Sequence, residues 1–98
     1  MRVVLLDEAQ RQFEAEDTWW REHRDSQELF AEEFEHALWQ LTTAPELGQR
    51  YRWKRGKLIQ RRLMTKTRCH LYYFLNREQN VVEIHSVWGA RRGRGPNL

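Results

Sequence analysis

From Tyr51 onward the spacing of apolar residues changes from helical to alternating, and that change limits the available folds more than any single motif does. Upstream, Phe30, Phe34, Ala37, Leu38 and Leu41 recur at helical intervals. They predict a helix entered through a cap at Asp25-Ser26-Gln27-Glu28 and closed by Ala44-Pro45, with Gly48 shortly after. Ala9, Phe13, Glu16 and Trp20 repeat in the same way, with Trp19 beside the stripe. A first helix is therefore predicted from a cap at Asp7-Glu8-Ala9-Gln10 to near Arg24, with Phe13 and Trp20 facing the core. The β-branched run at residues 2–6 ahead of it predicts a strand. Glu28, Glu32 and Glu35 lie on the face opposite the second apolar stripe, the pattern of a solvated helix surface rather than of a carboxylate active site.

Downstream, apolar residues alternate. Residues 50–54, 58–65, 69–75 and 81–88 predict strands, with turns at Gly56, at residues 66–68 and at Asn76-Arg77-Glu78-Gln79-Asn80. Links this short require antiparallel neighbours, because a parallel return needs a crossover of about a dozen residues. The expected fold class is α+β, in the order β-α-α-β-β-β-β, with both helices on one face of a curved, mainly antiparallel sheet. At 98 residues the chain has room for one domain, spanning 1–98, and no internal repeat or linker interrupts it. Residues 89–98 are expected to form a partly ordered basic tail, being rich in Gly and Arg.

Charge is divided close to where the periodicity changes. Up to Glu46 there are 12 acidic and 4 basic residues, and beyond it 2 acidic and 13 basic. The net charge of +3 is thus the remainder of −8 and +11. A half this basic draws polyanions or an acidic protein segment before any specific contact forms, and its 13 cations are expected to converge on one surface. One cysteine, Cys69, leaves no internal disulfide, which suits a reducing compartment, and it reads as a small buried hydrophobe. The apolar start, Val3 to Leu6, stops at Asp7. That is too short for a signal peptide or a membrane span, so a soluble, cytoplasmic protein with no membrane partner is expected. No P-loop, dinucleotide fingerprint, nucleophile elbow or zinc spacing occurs, and neither a cofactor nor a metal is expected.

Chemistry-bearing residues collect on the last strands. Strict alternation puts Val82, Ile84, Ser86 and Trp88 on one face and Val81, Glu83, His85 and Val87 on the other, while His70, Tyr72, Phe74 and Asn76 share a face of the preceding strand. His70 and His85 are expected together on the open side of the sheet, joined by Arg61 or Arg62 according to register, with Arg91 and Arg92 at the edge. Imidazole, phenol and guanidinium groups on one surface suit a phosphate backbone and a stacked base. Tyr72 and Tyr73 also read as packing residues with hydroxyls at the rim, and a lone strand histidine as a structural one.

The order of these elements and several local sequences resemble the RelE/ParE family of bacterial toxins from type II toxin–antitoxin modules. The resemblance runs from about Val3 to Pro96. It rests on Asp7-Glu8-Ala9, Trp19-Trp20, Phe34 with Ala37-Leu38 and Leu41 before Ala44-Pro45, Arg61-Arg62-Leu63, Leu71-Tyr72-Tyr73, and Val82-Glu83-Ile84 through Ser86-Val87-Trp88 into Arg91-Arg92. It implies a growth-inhibiting toxin neutralised by an antitoxin, whose acidic segment would dock on the basic half within an oligomeric toxin–antitoxin complex. Two activities are known in that family: metal-independent, ribosome-dependent mRNA cleavage, and inhibition of DNA gyrase. Arg62 and Arg91 fall where the nuclease branch has basic catalytic residues. Cys69-His70 stands where that branch has a Tyr-Arg pair, however, and no tyrosine follows Arg94. Arginine stays protonated, so a nuclease would need His70, His85 or a tyrosine as base. The resemblance therefore implies a ParE-like gyrase inhibitor contacting its target or antitoxin through Arg61, Arg62, Tyr72, Trp88, Arg91, Arg92 and Arg94. The alternatives are a RelE-like nuclease using Arg62, Arg91, His85 and His70, and an inactive toxin-fold binding module.

Overall fold

Arg2–Leu5 forms strand β1, Asp7–His23 helix α1 and Leu29–Thr43 helix α2 in a computed structural model that describes Met1–Leu98. A short 3-10 helix at Pro45–Leu47 leads into β2 (Gln49–Lys54), β3 (Lys57–Met64), β4 (Cys69–Asn76) and β5 (Val81–Gly89). The sheet order is β1-β5-β4-β3-β2. β1 runs parallel to β5 and every other pair is antiparallel, which is the α+β arrangement the periodicity predicts. No helix is long and apolar enough to cross a membrane.

Both predicted helix caps are displaced. Leu6 and Glu28 occupy the cap positions, and neither makes a side-chain cap bond. Asp7 is instead the first residue of α1, where it and Glu8 place negative charge against the positive end of the helix dipole. Apolar stripes from both helices meet the sheet in one core that includes Ala9, Trp20, Phe30, Phe34 and Leu41 from the helices and Met64, Cys69, Leu71, Tyr73, Ile84 and Val87 from the strands. Phe13 packs onto this cluster with its ring centroid 4.5 Å from that of Phe34.

The turns follow from local chemistry. Lys54 pairs with Lys57, and Arg55 and Gly56 between them both have positive φ, the geometry of a two-residue hairpin whose twist suits the flanking strands. The turn after β3 is held by Glu33 of α2, whose carboxylate accepts from Lys66 N at 2.8 Å, Thr67 N at 2.9 Å and Thr67 Oγ1 at 2.6 Å. Entry into β2 depends on Tyr73. Its hydroxyl donates to the Pro45 carbonyl at 3.0 Å and accepts from Gly48 N at 2.9 Å, and a Cβ on Gly48 would run into that hydroxyl.

The Gly/Arg tail is ordered at its start, while residues 93–98 have no regular structure and Gly93, Arg94, Gly95 and Asn97 are exposed. Gly89 belongs to β5 and is buried, Ala90–Arg92 forms a 3-10 helix, and Pro96 is buried. Partners elsewhere hold its first residues: Ala90 N donates to the Arg68 carbonyl, Trp88 Nε1 to the Arg94 carbonyl, and Arg91 bonds Glu16.

Candidate functional site

Side-chain direction on β5 is decided by one irregularity. Tyr72 lies opposite Ser86 but Tyr73 opposite Ile84, so His85 is an extra residue and the alternation slips by one. Val87 consequently turns into the core and Trp88 comes out opposite His70, which reverses the expected faces of both residues. Gln12 of α1 stabilises the slip. Its Oε1 accepts from both Ser86 Oγ and Val87 N, each at 2.8 Å, and so satisfies a backbone N–H at the bulge.

The released face carries a shallow cleft of about 300 Å³ among Tyr51, Arg61, His70, Tyr72, Trp88 and the Gly93–Gly95 segment. Register settles which arginine joins it. Arg61 lies opposite Tyr72, whereas Arg62 lies opposite Leu71 and shares the helix-facing side. The Tyr51 and Tyr72 rings meet edge to face at 4.8 Å, and the guanidinium carbons of Arg61 and Arg52 stand 5.2 Å and 4.8 Å from the Tyr51 ring centre. Arg92 covers Trp88 at 4.3 Å. Gathered cations repel, and aromatic faces beneath them offset part of that cost. Burial, reinforced by the Arg61 charge, holds the His70 pKa below its ordinary 6.5, so its ring favours the neutral form. Burial raises the Tyr72 hydroxyl against the opposing effect of Arg61, which leaves a phenol rather than a phenolate at the cleft floor. Arg94 is exposed at the rim.

The remaining candidates are held elsewhere. His85 shares the open side but bonds Glu83 at 3.2 Å, and Glu83 also accepts from Asn76 at 3.1 Å and Lys57 at 3.4 Å. Burial lowers the His85 pKa despite this carboxylate. Arg62 donates to Gln40 of α2. Arg91 reaches the carboxylate of Glu16, 1% exposed, at 3.0 Å and stacks on Trp19 at 4.0 Å. Burial and the nearby Glu16 charge push the Cys69 thiol up to about 12, so it carries no thiolate chemistry at neutral pH. No group of three His, Cys, Asp or Glu side chains stands where it could hold a metal ion.

The 13 downstream cations therefore converge only in part. Arg52, Arg61 and Arg94 border the open face and Arg92 covers Trp88 with its Nη2 4.0 Å from Glu16, while Arg62, Arg77 and Arg91 are committed to Gln40, Glu46 and Glu16. Among the four residues the nuclease alternative requires, Arg62 faces the helices, Arg91 is tied to Glu16 and His85 to Glu83, so only His70 lines the cleft. Three contributors are not singled out by the sequence: Tyr51 falls at a register shift between Arg50 and Arg52, Glu16 lies in the stripe of the first helix with no local sign of its partner in the tail, and Gln12 sits amid helix positions that look like solvated surface, with nothing local to mark it as a partner of the bulge. No family model, no curated protein and no solved structure matches the chain.

Proposed function

We propose that this chain is the growth-inhibiting toxin of a type II toxin–antitoxin pair, and that it acts by gripping a protein target, DNA gyrase, rather than by cutting RNA. One observation carries the choice between these activities: Arg62, Arg91 and His85 are each bonded to a different partner in a different place. A phosphoryl-transfer site needs base, acid and charge stabiliser within reach of one atom. The cleft instead offers Trp88, Tyr51 and Arg61 with Arg92 and Arg94 at its rim, the residue types that anchor protein interfaces. In a supercoiling assay, saturating chain is expected to stop gyrase, and undiminished supercoiling would overturn the reading.

A second reading draws on a specific feature of the same cleft. His70, held neutral beside Arg61 and Tyr72, pairs a base with a charge stabiliser and supports ribosome-dependent mRNA cleavage. Its mark is codon-positioned breaks that disappear in His70→Ala and Arg61→Ala, and growth arrest with intact mRNA excludes it. Expression without any growth defect, while an acidic partner is still bound, identifies a binding module instead.

A further inference from the structure

β3 loses its outer neighbour partway along. β2 begins at Gln49, opposite Arg61, so Arg62, Leu63 and Met64 are paired only with β4 and present an open strand edge. A cleft lies on each side of that edge. Toward the helices, one of about 480 Å³ is lined by His36 and Gln40 of α2 together with Arg62 and Met64. Toward the open face, another of about 450 Å³ is lined by Leu47, Gln49, Arg61 and His70. Arg62 and Leu63 belong to both.

Arg62 is incompletely satisfied. Nη2 has the neutral oxygen of Gln40, but Nη1 is buried with no hydrogen-bond partner, and a buried, charged donor left unpaired is destabilising. The two apolar side chains flanking the edge are left in water, Leu63 at 41% and Leu47 at 62% exposure. Carboxylates also border the helix-side cleft. Glu33 is engaged by the Lys66 and Thr67 amides, and Glu32 is exposed. The outer edge of β2, by contrast, carries Arg50, Arg52 and Lys54, the kind of charge that discourages strand pairing.

We infer that the Arg62–Met64 edge of β3 receives an extended, acidic segment of a partner protein as an added strand, with one of its carboxylates completing the Arg62 guanidinium. Side chains of a strand alternate between its two faces, so successive residues of the guest would enter the two clefts in turn, acid toward Arg62 and apolar toward Leu47 and Leu63. The acidic occupant rests on the toxin–antitoxin reading above, although the edge and the unpaired guanidinium do not depend on it. Arg62 thus becomes a partner-recognition residue, with no part in chemistry.

The test titrates the full chain with a peptide of about eight residues alternating valine and glutamate, and follows amide exchange by NMR. Micromolar to millimolar binding is expected, with new protection at the Arg62–Met64 amide that points away from β4. Replacing glutamate by glutamine in the peptide, or Arg62→Lys in the chain, should each weaken binding roughly tenfold, because the charge-assisted bond to Nη1 is lost. Arg55→Lys at the distant turn should leave it unchanged, and a dispersed amide spectrum of each variant shows that it folds. Equal binding of the glutamate and glutamine peptides, protection confined to β1, no binding at millimolar peptide, or protection of the edge by oligouridylate in place of the peptide would each overturn the inference. Failed peptide binding in a chain that still arrests growth sinks this inference alone. Peptide binding without growth arrest sinks the toxin reading and leaves the edge site standing.

Discussion

Arg61 and Arg62 are consecutive on β3, as Tyr72 and Tyr73 are on β4, yet the members of each pair have opposite fates. Arg62 and Tyr73 point toward the helices, where Gln40, Pro45 and Gly48 supply hydrogen bonds to them. Arg61 and Tyr72 point away and meet only aromatic neighbours and solvent-facing cations. The Tyr73 hydroxyl on the covered side is bound up in holding the fold and Arg62 is bonded there through one nitrogen only, whereas the tips on the bare side remain available to another molecule. Residue type is the same on both sides, so composition alone does not identify a site here. Strand parity does.

This contrast can be broken or sharpened by substitution. The largest effect is expected on the bare side. Trp88→Ala removes the ring under Arg92 and the bond to the Arg94 carbonyl, and should raise the concentration for half-inhibition of gyrase about 30-fold or more, near 2 kcal/mol. A change below about threefold would show that Trp88 is no anchor. Next come the paired tyrosines. Tyr73→Phe leaves the Pro45 carbonyl and the Gly48 amide without their partner and should cost about 2 kcal/mol in urea unfolding, against less than about 1 kcal/mol for Tyr72→Phe. Equal costs would erase the distinction between the two faces.

Glu16→Gln is expected to cost about 1 kcal/mol, since Arg91, with its side chain 35% exposed, can recover solvent once the carboxylate is gone. Its more telling readout is Trp19 fluorescence, which should change as Arg91 leaves the ring. An unaltered spectrum would mean that the tail is held by other contacts. The smallest effect is on pH. His70 and His85 both titrate below 6.5 in the folded chain, so the unfolded chain takes up protons first as pH falls. Stability is complete above 6.5 and declines below it. The urea midpoint should drop between about pH 7.5 and about pH 5.5, and drop less in His85→Asn. Glu83, held below its usual 4.5 because bonds from Asn76, His85 and Lys57 outweigh its burial, adds a loss only at still lower pH. A midpoint rising toward acid would contradict the burial of both rings.

Much of the fold was legible because its signals are local. The helical spacing through Phe30, Phe34 and Leu41 and the alternation from Cys69 to Leu75 each occupy one stretch of chain, and the strand boundaries in the structure differ by a residue or so from those expected. The candidate site was legible only in part. His70, Tyr72 and one arginine of the pair were found, but Trp88 was assigned to the wrong face because the slip at His85 depends on Gln12, 74 residues away from Ser86. The anchor of the tail is equally remote, since Glu16 lies 75 residues before Arg91.

What the chain's sequence determined unaided was the kind and order of its elements and the excess of positive charge in its second half, since periodicity and charge are properties of neighbours in the chain. Which arginine meets solvent, which way Trp88 faces and where β3 is left without a partner were decided by tertiary structure alone. Each depends on the register between strands or on a side chain from a helix, and a shift of one residue in that register reverses every face it touches.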